Sequence, residues 1–207
     1  MHPPFNQVSP VLNFLPELLL QAQGIKLAFF DVDGVLTDGG LYFSDSGETL
    51  KRFHTLDGLG LKLLQQAGIT PAVITGRDSP ALRQRIKALG IQHVHYGAED
   101  KLPAAEQVLQ ALGLGWQATA SMGDDWPDLA VMTRSAFACA PANAHFEVRS
   151  RAAYVTHSKG GFGAAREFCD VLLVANGRYA ALLEAAIQRP EKPTGPDSQE
   201  PAQSTST

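Results

Sequence analysis

Asp31 and Asp33 stand two residues apart directly after the apolar run KLAFF, inside Asp31-Val32-Asp33-Gly34-Val35-Leu36-Thr37-Asp38-Gly39. Three more polar groups lie beside apolar runs further on: Thr75-Gly76-Arg77, Lys101, and Gly123-Asp124-Asp125-Trp126-Pro127-Asp128. Carboxylates gathered together repel and take up protons unless a cation neutralises them. Hard oxygen donors in that number suit Mg2+, which binds through a few carboxylates and a substrate phosphate. A carboxylate is also a competent nucleophile toward phosphorus and gives an acyl phosphate. The cation, a lysine ammonium and a hydroxyl would then hold the transferring phosphoryl oxygens. A second carboxyl two residues on would protonate the leaving oxygen and later activate water. Asp31, Asp33, Thr75, Lys101 and Asp124 supply one of each part.

Such residues act together only if the chain brings them to one place. KLAFF (26–30), TPAVIT (70–75), ATASM (118–122) and AFACA (136–140) read as short buried strands, with further strands near His93–His95 and 153–156. Between them, Leu56, Leu59, Leu63, Leu64 and Ala67 recur at helical spacing and stop at Gly68. Ser79-Pro80 supplies an N-cap and a first-turn proline for a helix through Leu89, closed by Gly90. Helices are also predicted over about 101–112 and 163–174, with a short one after Trp126 and a turn or helix near 144–148. Strand–helix alternation predicts an α/β fold with a mainly parallel sheet covered on both faces. Ligands of such folds bind outside the carboxyl ends of the strands, where all four polar groups fall. LYFS and ETLKRF flank Asp45-Ser46-Gly47, which predicts a β-hairpin inserted after the first strand.

The 207 residues fit one domain, expected over 24–180, after an N-terminal extension (1–23) and before a helix end and Pro-rich disordered tail (181–207). A net charge of −4 leaves no basic excess for binding nucleic acid. The longest apolar stretches, such as VLNFLPELLL at 11–20, are too short and interrupted to span a bilayer, so no membrane association is expected. The start of the chain carries no secretory pattern, and a cytoplasmic location is expected. Cys139 and Cys169 form no CxxC pair and read as small core residues in a reducing compartment. His93, His95, His145 and His157 form no ligand set by spacing, and Gly160, Gly161 and Gly163 predict a tight turn near the site.

The run DVDGVLTDG, followed in order by a strand-end Thr75, Lys101 and GDDWPD, resembles the four motifs of the haloacid dehalogenase superfamily over roughly residues 24–180. Only a hairpin fits between Gly39 and Leu56, and only one helix and one strand between Thr75 and Lys101, so the full cap domain of many superfamily members is absent. Within the capless group, FHTLDGLG (53–60), ITGR ending at Arg77, GDDWPDLAVM and GGFGAARE (160–167) resemble the 3-deoxy-D-manno-octulosonate (KDO) 8-phosphate phosphatase family. That resemblance implies Mg2+-dependent hydrolysis of KDO 8-phosphate through an aspartyl phosphate, serving lipopolysaccharide sugar synthesis. It also implies a homotetramer in which the hairpin of one subunit helps close the site of the next.

Carried onto this sequence, the resemblance makes Asp31 the nucleophile and Asp33 the general acid/base, with Thr75 and Lys101 binding phosphate. Mg2+ would be held by Asp31, the backbone carbonyl of Asp33 and Asp124, with Asp125 close by and Asp128 orienting Lys101. Sugar-acid contacts would fall on His54, Thr55, Leu56, Asp57, Gly58, Lys62, Arg77 and Arg85. His54 stands where asparagine is common in the family and Lys62 where arginine can occur, and the Pro-rich tail differs from the family's short Gly-rich one. Phosphatases of the related nine-carbon acid tend to carry glutamate after the Thr-Gly, where this chain has Arg77. A phospho-receiver module lacks the second aspartate, and regulatory descendants typically lose a core carboxylate; here Asp33 and the others are all present.

Overall fold

The computed structural model describes residues 12–45 and 47–188, so the expected tail from Pro190 onward and the first eleven residues lie outside the described residues. Six strands form one sheet: β1 (Leu27–Phe30), β4 (Thr70–Ile74), β5 (His93–His95), β6 (Thr119–Met122), β7 (Phe137–Ala140) and β8 (Tyr154–Val155). Their order is β5-β4-β1-β6-β7-β8, and every neighbouring pair is parallel. The expected α/β architecture is the observed one.

Burial explains why the strands are continuous apolar runs rather than alternating ones. Successive side chains of a strand point to opposite faces. Ala28 and Phe30 of β1 join the larger core with residues of α2 (Thr55–Gln66), α3 (Pro80–Leu89) and α7 (Ala164–Ala175). Leu27 and Phe29 join the opposite core with residues of α4 (Lys101–Leu112) and α5 (Leu129–Met132). On the first face the rings of Phe30 and Phe137 pack against Phe168, with centroids 5.4 and 6.2 Å away. Both cysteines are free and buried in this core.

Local signals set the helix ends. The Ser79 hydroxyl accepts from the Leu82 amide at 3.4 Å ahead of Pro80, and Gly90 and Gly113 close α3 and α4 with φ of 70° and 63°. The short helix expected after Trp126 is a 3-10 turn (Trp126–Asp128) running into α5, and the element near 144–148 is α6 (Phe146–Arg149). α1 (Pro16–Gln21) packs on α7 through Leu18 and Leu19, so the end of the expected extension belongs to the core. After α7 ends at Ala175, a separate helix α8 (Tyr179–Ile187) follows, and the helix end expected from 181 falls within it. Its Ala- and Leu-rich sequence favours a helix, but no residue of it is buried, so periodicity gives no sign of it.

The register places the site. Phe30 lies opposite Val73 of β4 and Met122 of β6, so the three central strands end at one level. Chain order reverses at β1, which opens the crevice in which ligands of such sheets bind. The inserted hairpin, β2 (Tyr42–Ser44) and β3 (Gly47–Leu50), forms a separate antiparallel pair. β3 stops at Leu50, before the ETLKRF run ends, because Lys51 leaves the ladder and becomes buried.

From the other side, the loop before α7 presses on the loop after β1. The Gly161 amide donates to the Val35 carbonyl at 3.0 Å, and a β-carbon at Gly160 would overlap the carbonyl oxygen of Gly34. Gly160→Ala should therefore destabilise the fold by about 1–3 kcal/mol. A urea midpoint unchanged from wild type would show that the two loops are free to separate.

Candidate active site

The end of β1 delivers Asp31, which is buried, and the next turn delivers Asp33, whose side chain is 18% exposed. Gly34 follows with φ +97°, and a β-carbon there would overlap the Asp124 carboxylate. Only glycine lets the β1 and β6 loops approach this closely. Thr37, also buried, staples the turn: its hydroxyl donates to the Val32 carbonyl at 3.3 Å and accepts from the Gly39 amide at 3.2 Å.

Lys101, the first residue of α4, is buried. Its ammonium pairs with Asp31 and donates to Asp128 Oδ1 at 2.6 Å. A cation at a helix N-terminus is disfavoured by the macrodipole, and these two carboxylates offset that cost. Burial opposes its charge, but Asp31 and Asp128 outweigh burial and raise its pKa above the ordinary lysine value. The other Asp128 oxygen accepts from the backbone amides of Asp124 and Asp125 at 3.0 and 3.2 Å, which fixes the β6 loop.

Asp31, Asp124 and Asp128 bring carboxylate oxygens within 4.8 Å of one another. Burial first, and then Asp128, push the Asp31 carboxyl up to about 7 against the pull of Lys101. Burial, Asp31 and Asp128 push Asp124 up to about 8. Fully ionised, three carboxylates around one ammonium leave two uncompensated negative charges. The donor set is hard oxygen throughout, and its deficit is that of a divalent cation. The residues fit Mg2+.

The remaining expected residues fall in three places. Thr75 directly follows β4, buried, and its hydroxyl accepts from the Arg77 amide at 3.3 Å. Arg77 stands half-exposed with Nε 3.8 Å from Asp33 Oδ2. Asp125 is exposed and accepts from the Trp126 amide at 2.8 Å, outside the carboxylate cluster. His54 caps α2, its Nδ1 accepting from the Leu56 amide at 3.2 Å, with Thr55 and Leu56 exposed beside it. Arg85 reaches the His54 carbonyl at 3.2 Å, and Gly58 leaves room for its guanidinium.

Two residues of that set face elsewhere. Asp57 is buried and accepts from the Gly163 and Arg166 amides at 3.3 and 2.9 Å, capping α7 rather than facing the crevice. Burial raises its pKa, and the amides of α7 oppose the rise. Lys62 is exposed beside Leu59, Leu63, Arg166 and Tyr179, in a groove between α2, α7 and α8. Among the histidines, His145 caps α6 and accepts from Trp126 Nε1 at 3.1 Å, and His157 Nδ1 lies 3.0 Å from Glu167.

Sequence reasoning missed Lys51 and Glu48. Lys51 Nζ lies 2.5 Å from Asp33 Oδ1 and 2.9 Å from Glu48 Oε1. Burial opposes its charge, but the two carboxylates outweigh burial and raise its pKa. A lysine ending a polar hairpin strand reads as solvated, and nothing local marks it as turned inward.

Known proteins resemble this chain in sequence and in fold. Residues 96–167 match the haloacid dehalogenase-like hydrolase family. The 3-deoxy-D-manno-octulosonate 8-phosphate phosphatase KdsC of Salmonella typhimurium is 41% identical over 163 residues, covering 79% of this chain and 87% of the relative. The corresponding crystal structure from Moraxella catarrhalis, in complex with magnesium, phosphate and KDO, superposes with a TM-score of 0.80 at 38% identity, covering 84% of this chain and 99% of that one. The Yersinia pestis phosphatase of the same name superposes with a TM-score of 0.77 at 40% identity, covering 79% and 89%. No helix among the described residues is long and apolar enough to cross a membrane.

Without a cation, Asp124 binds a proton in the folded protein up to about pH 8, whereas its ordinary value is 3.8. The folded state then holds more protons than the unfolded one, so this group's stabilisation is lost as pH rises from 3.8 through about 8. Mg2+ needs the carboxylates deprotonated and relieves their repulsion. The Mg2+-induced rise in Tm should be larger at pH 8 than at pH 6 and should vanish in Asp124→Asn. A rise independent of pH and retained in that variant would place the cation elsewhere.

Proposed function

We propose that this chain, which belongs to the 3-deoxy-D-manno-octulosonate 8-phosphate phosphatase family of haloacid dehalogenase-like hydrolases, hydrolyses KDO 8-phosphate to KDO and phosphate with Mg2+ as cofactor. The observation that carries this reading is Asp31 held against Lys101 just after β1, with Asp33 two residues on and Asp124 close to both Asp31 and Lys101. Asp31, as carboxylate, attacks phosphorus while the bond to the C8 oxygen breaks and Asp33 gives that oxygen a proton. Water then attacks the aspartyl phosphate, Asp33 takes its proton, and phosphate leaves with Asp31 restored. Lys101 and the Thr75 hydroxyl hold the phosphoryl oxygens throughout. Mg2+, held by Asp31, Asp124 and the carbonyl of Asp33, would neutralise the carboxylates and the phosphoryl charge when bound.

At the sugar end, Arg77 is the group with both the exposure and the planar fork to clamp a carboxylate. His54, Thr55 and Leu56 would form the adjoining wall, a reading supported by the Arg85 guanidinium that fits over Gly58 and holds the His54 carbonyl. A nine-carbon acid is the second reading, disfavoured by the arginine at position 77. We also infer a homotetramer, supported by the family resemblance and by the hairpin, which exposes Leu41, Tyr42, Phe43 (64%) and Leu50 (57%).

Asp31→Asn should abolish phosphate release while leaving the circular dichroism spectrum and the unfolding transition intact; an active variant refutes the nucleophile. Wild-type kcat/KM should be highest for KDO 8-phosphate, ahead of the nine-carbon analogue and p-nitrophenyl phosphate, and equal weak turnover of all three would remove the substrate assignment. Sedimentation should give a tetramer, and a fully active monomer would overturn that inference.

A further inference from the structure

Asp33, the acid/base of the proposed reaction, has a side chain 18% exposed, and its carboxylate is gripped from the hairpin. Lys51 Nζ lies 2.5 Å from Asp33 Oδ1, Thr37 Oγ1 lies 3.5 Å from the same oxygen, and Arg77 Nε lies 3.8 Å from Oδ2. Lys51 differs from the other two in burial and in anchorage. Its side chain is 1% exposed, against 47% for Arg77, and its second carboxylate partner is Glu48 of β3, 2.9 Å away. An ammonium whose own side chain is buried and which is shared by two carboxylates is held from both sides. Asp33 therefore inherits its rotamer from the hairpin.

The geometry points to Lys51, held by Glu48, as the positioning residue that aims Asp33 at the leaving oxygen, which makes the hairpin part of its own subunit's catalytic machinery. This rests on the phosphatase reading above, in which Asp33 protonates the departing alkoxide. The atoms balance as in that reaction: Lys51 neither gives nor takes a proton, and the proton delivered to the leaving oxygen comes from Asp33. Lys51 is poorly placed to act on phosphate itself, since both of its short contacts are to carboxylates of this chain.

A positioning role for the acid predicts a dependence on the leaving group. An alkoxide must be protonated as it departs, whereas p-nitrophenolate leaves without help, and general acid catalysis contributes on the order of 10²–10⁴-fold where it is needed. The value of kcat/KM isolates the step in which the leaving oxygen departs. It is measured with Mg2+ for wild type, Lys51→Met, Lys51→Arg and Glu48→Gln, on KDO 8-phosphate and on p-nitrophenyl phosphate. Lys51→Met should lose about tenfold more on the alkyl phosphate than on the aryl phosphate, a fraction of the full acid contribution. Lys51→Arg, which keeps the cation, should recover most of that difference, and Glu48→Gln should show the same preference in weaker form. Equal losses on both substrates in a folded Lys51→Met protein would reduce Lys51 to scaffolding and overturn the inference. If that variant does not fold, Glu48→Gln decides: an unchanged alkyl-to-aryl ratio overturns the inference, a lowered one supports it. A wild-type enzyme that ignores KDO 8-phosphate but hydrolyses another primary alkyl phosphate sinks the substrate assignment alone, and the same ratio on that substrate still tests Lys51.

Discussion

Asp31, Asp124 and Asp128 crowd around a single buried ammonium, and the rest of the structure is arranged to hold that charge together. Two unit charges 4 Å apart interact by about 4 kcal/mol at the effective dielectric of a protein surface. Burial first, and then the repulsion among three carboxylates that one lysine cannot balance, pushes Asp31 and Asp124 toward neutrality in the folded chain. The same imbalance that makes the cluster costly makes it selective. A monovalent side chain leaves a charge deficit that a divalent cation would remove.

Holding the cluster requires three loops to touch through their backbones. Gly34 admits the Asp124 carboxylate, and Gly160 admits the Gly34 carbonyl. Asp57 connects this contact to the helical layer. Its carboxylate caps the first turn of α7, where the free amides and the dipole favour an anion, and so fixes where the loop before α7 begins. Asp57 lies among residues expected at the sugar side, yet its own contacts run to α7.

Much of this was legible in the sequence for physical reasons. Parallel strands covered on both faces are unbroken apolar runs, and helices stop at glycine because the left-handed conformation costs glycine little. Asp31, Thr75 and Asp124 could be gathered on one edge from sequence alone because parallel strands of similar length end at the same level. The strand-end position does the work, and no side-chain detail is needed. Lys62 and Asp57 show the limit. Both sit on α2 in the expected stretch, but which side of a helix a residue faces depends on how the helix rolls against its neighbours. The roll here turns Asp57 to α7 and Lys62 to the groove near α8. Lys51 was illegible for another reason, since its partner lies 18 positions back across an insertion whose docking no local pattern encodes.

That docking carries the wider argument. Strands of three and four residues in an isolated two-stranded sheet are marginal on their own, so the hairpin's order must come from what it touches. Two consecutive residues at its exit supply those contacts. Lys51 enters the catalytic turn, while Arg52 reaches the Gly161 carbonyl at 3.1 Å, lies 3.5 Å from Asp38 and rests over the Phe162 ring at 4.3 Å. The hairpin is thus tied to the loop that carries Gly34, through Asp33, and to the glycine turn packed against that loop, through Arg52. Its other side exposes Tyr42, Phe43 and Leu50. A separate cap domain would close over a catalytic core already complete beneath it. Here the hairpin and the core share a buried ion pair, Lys51 with Asp33, so the Asp33 side chain cannot be placed independently of the hairpin.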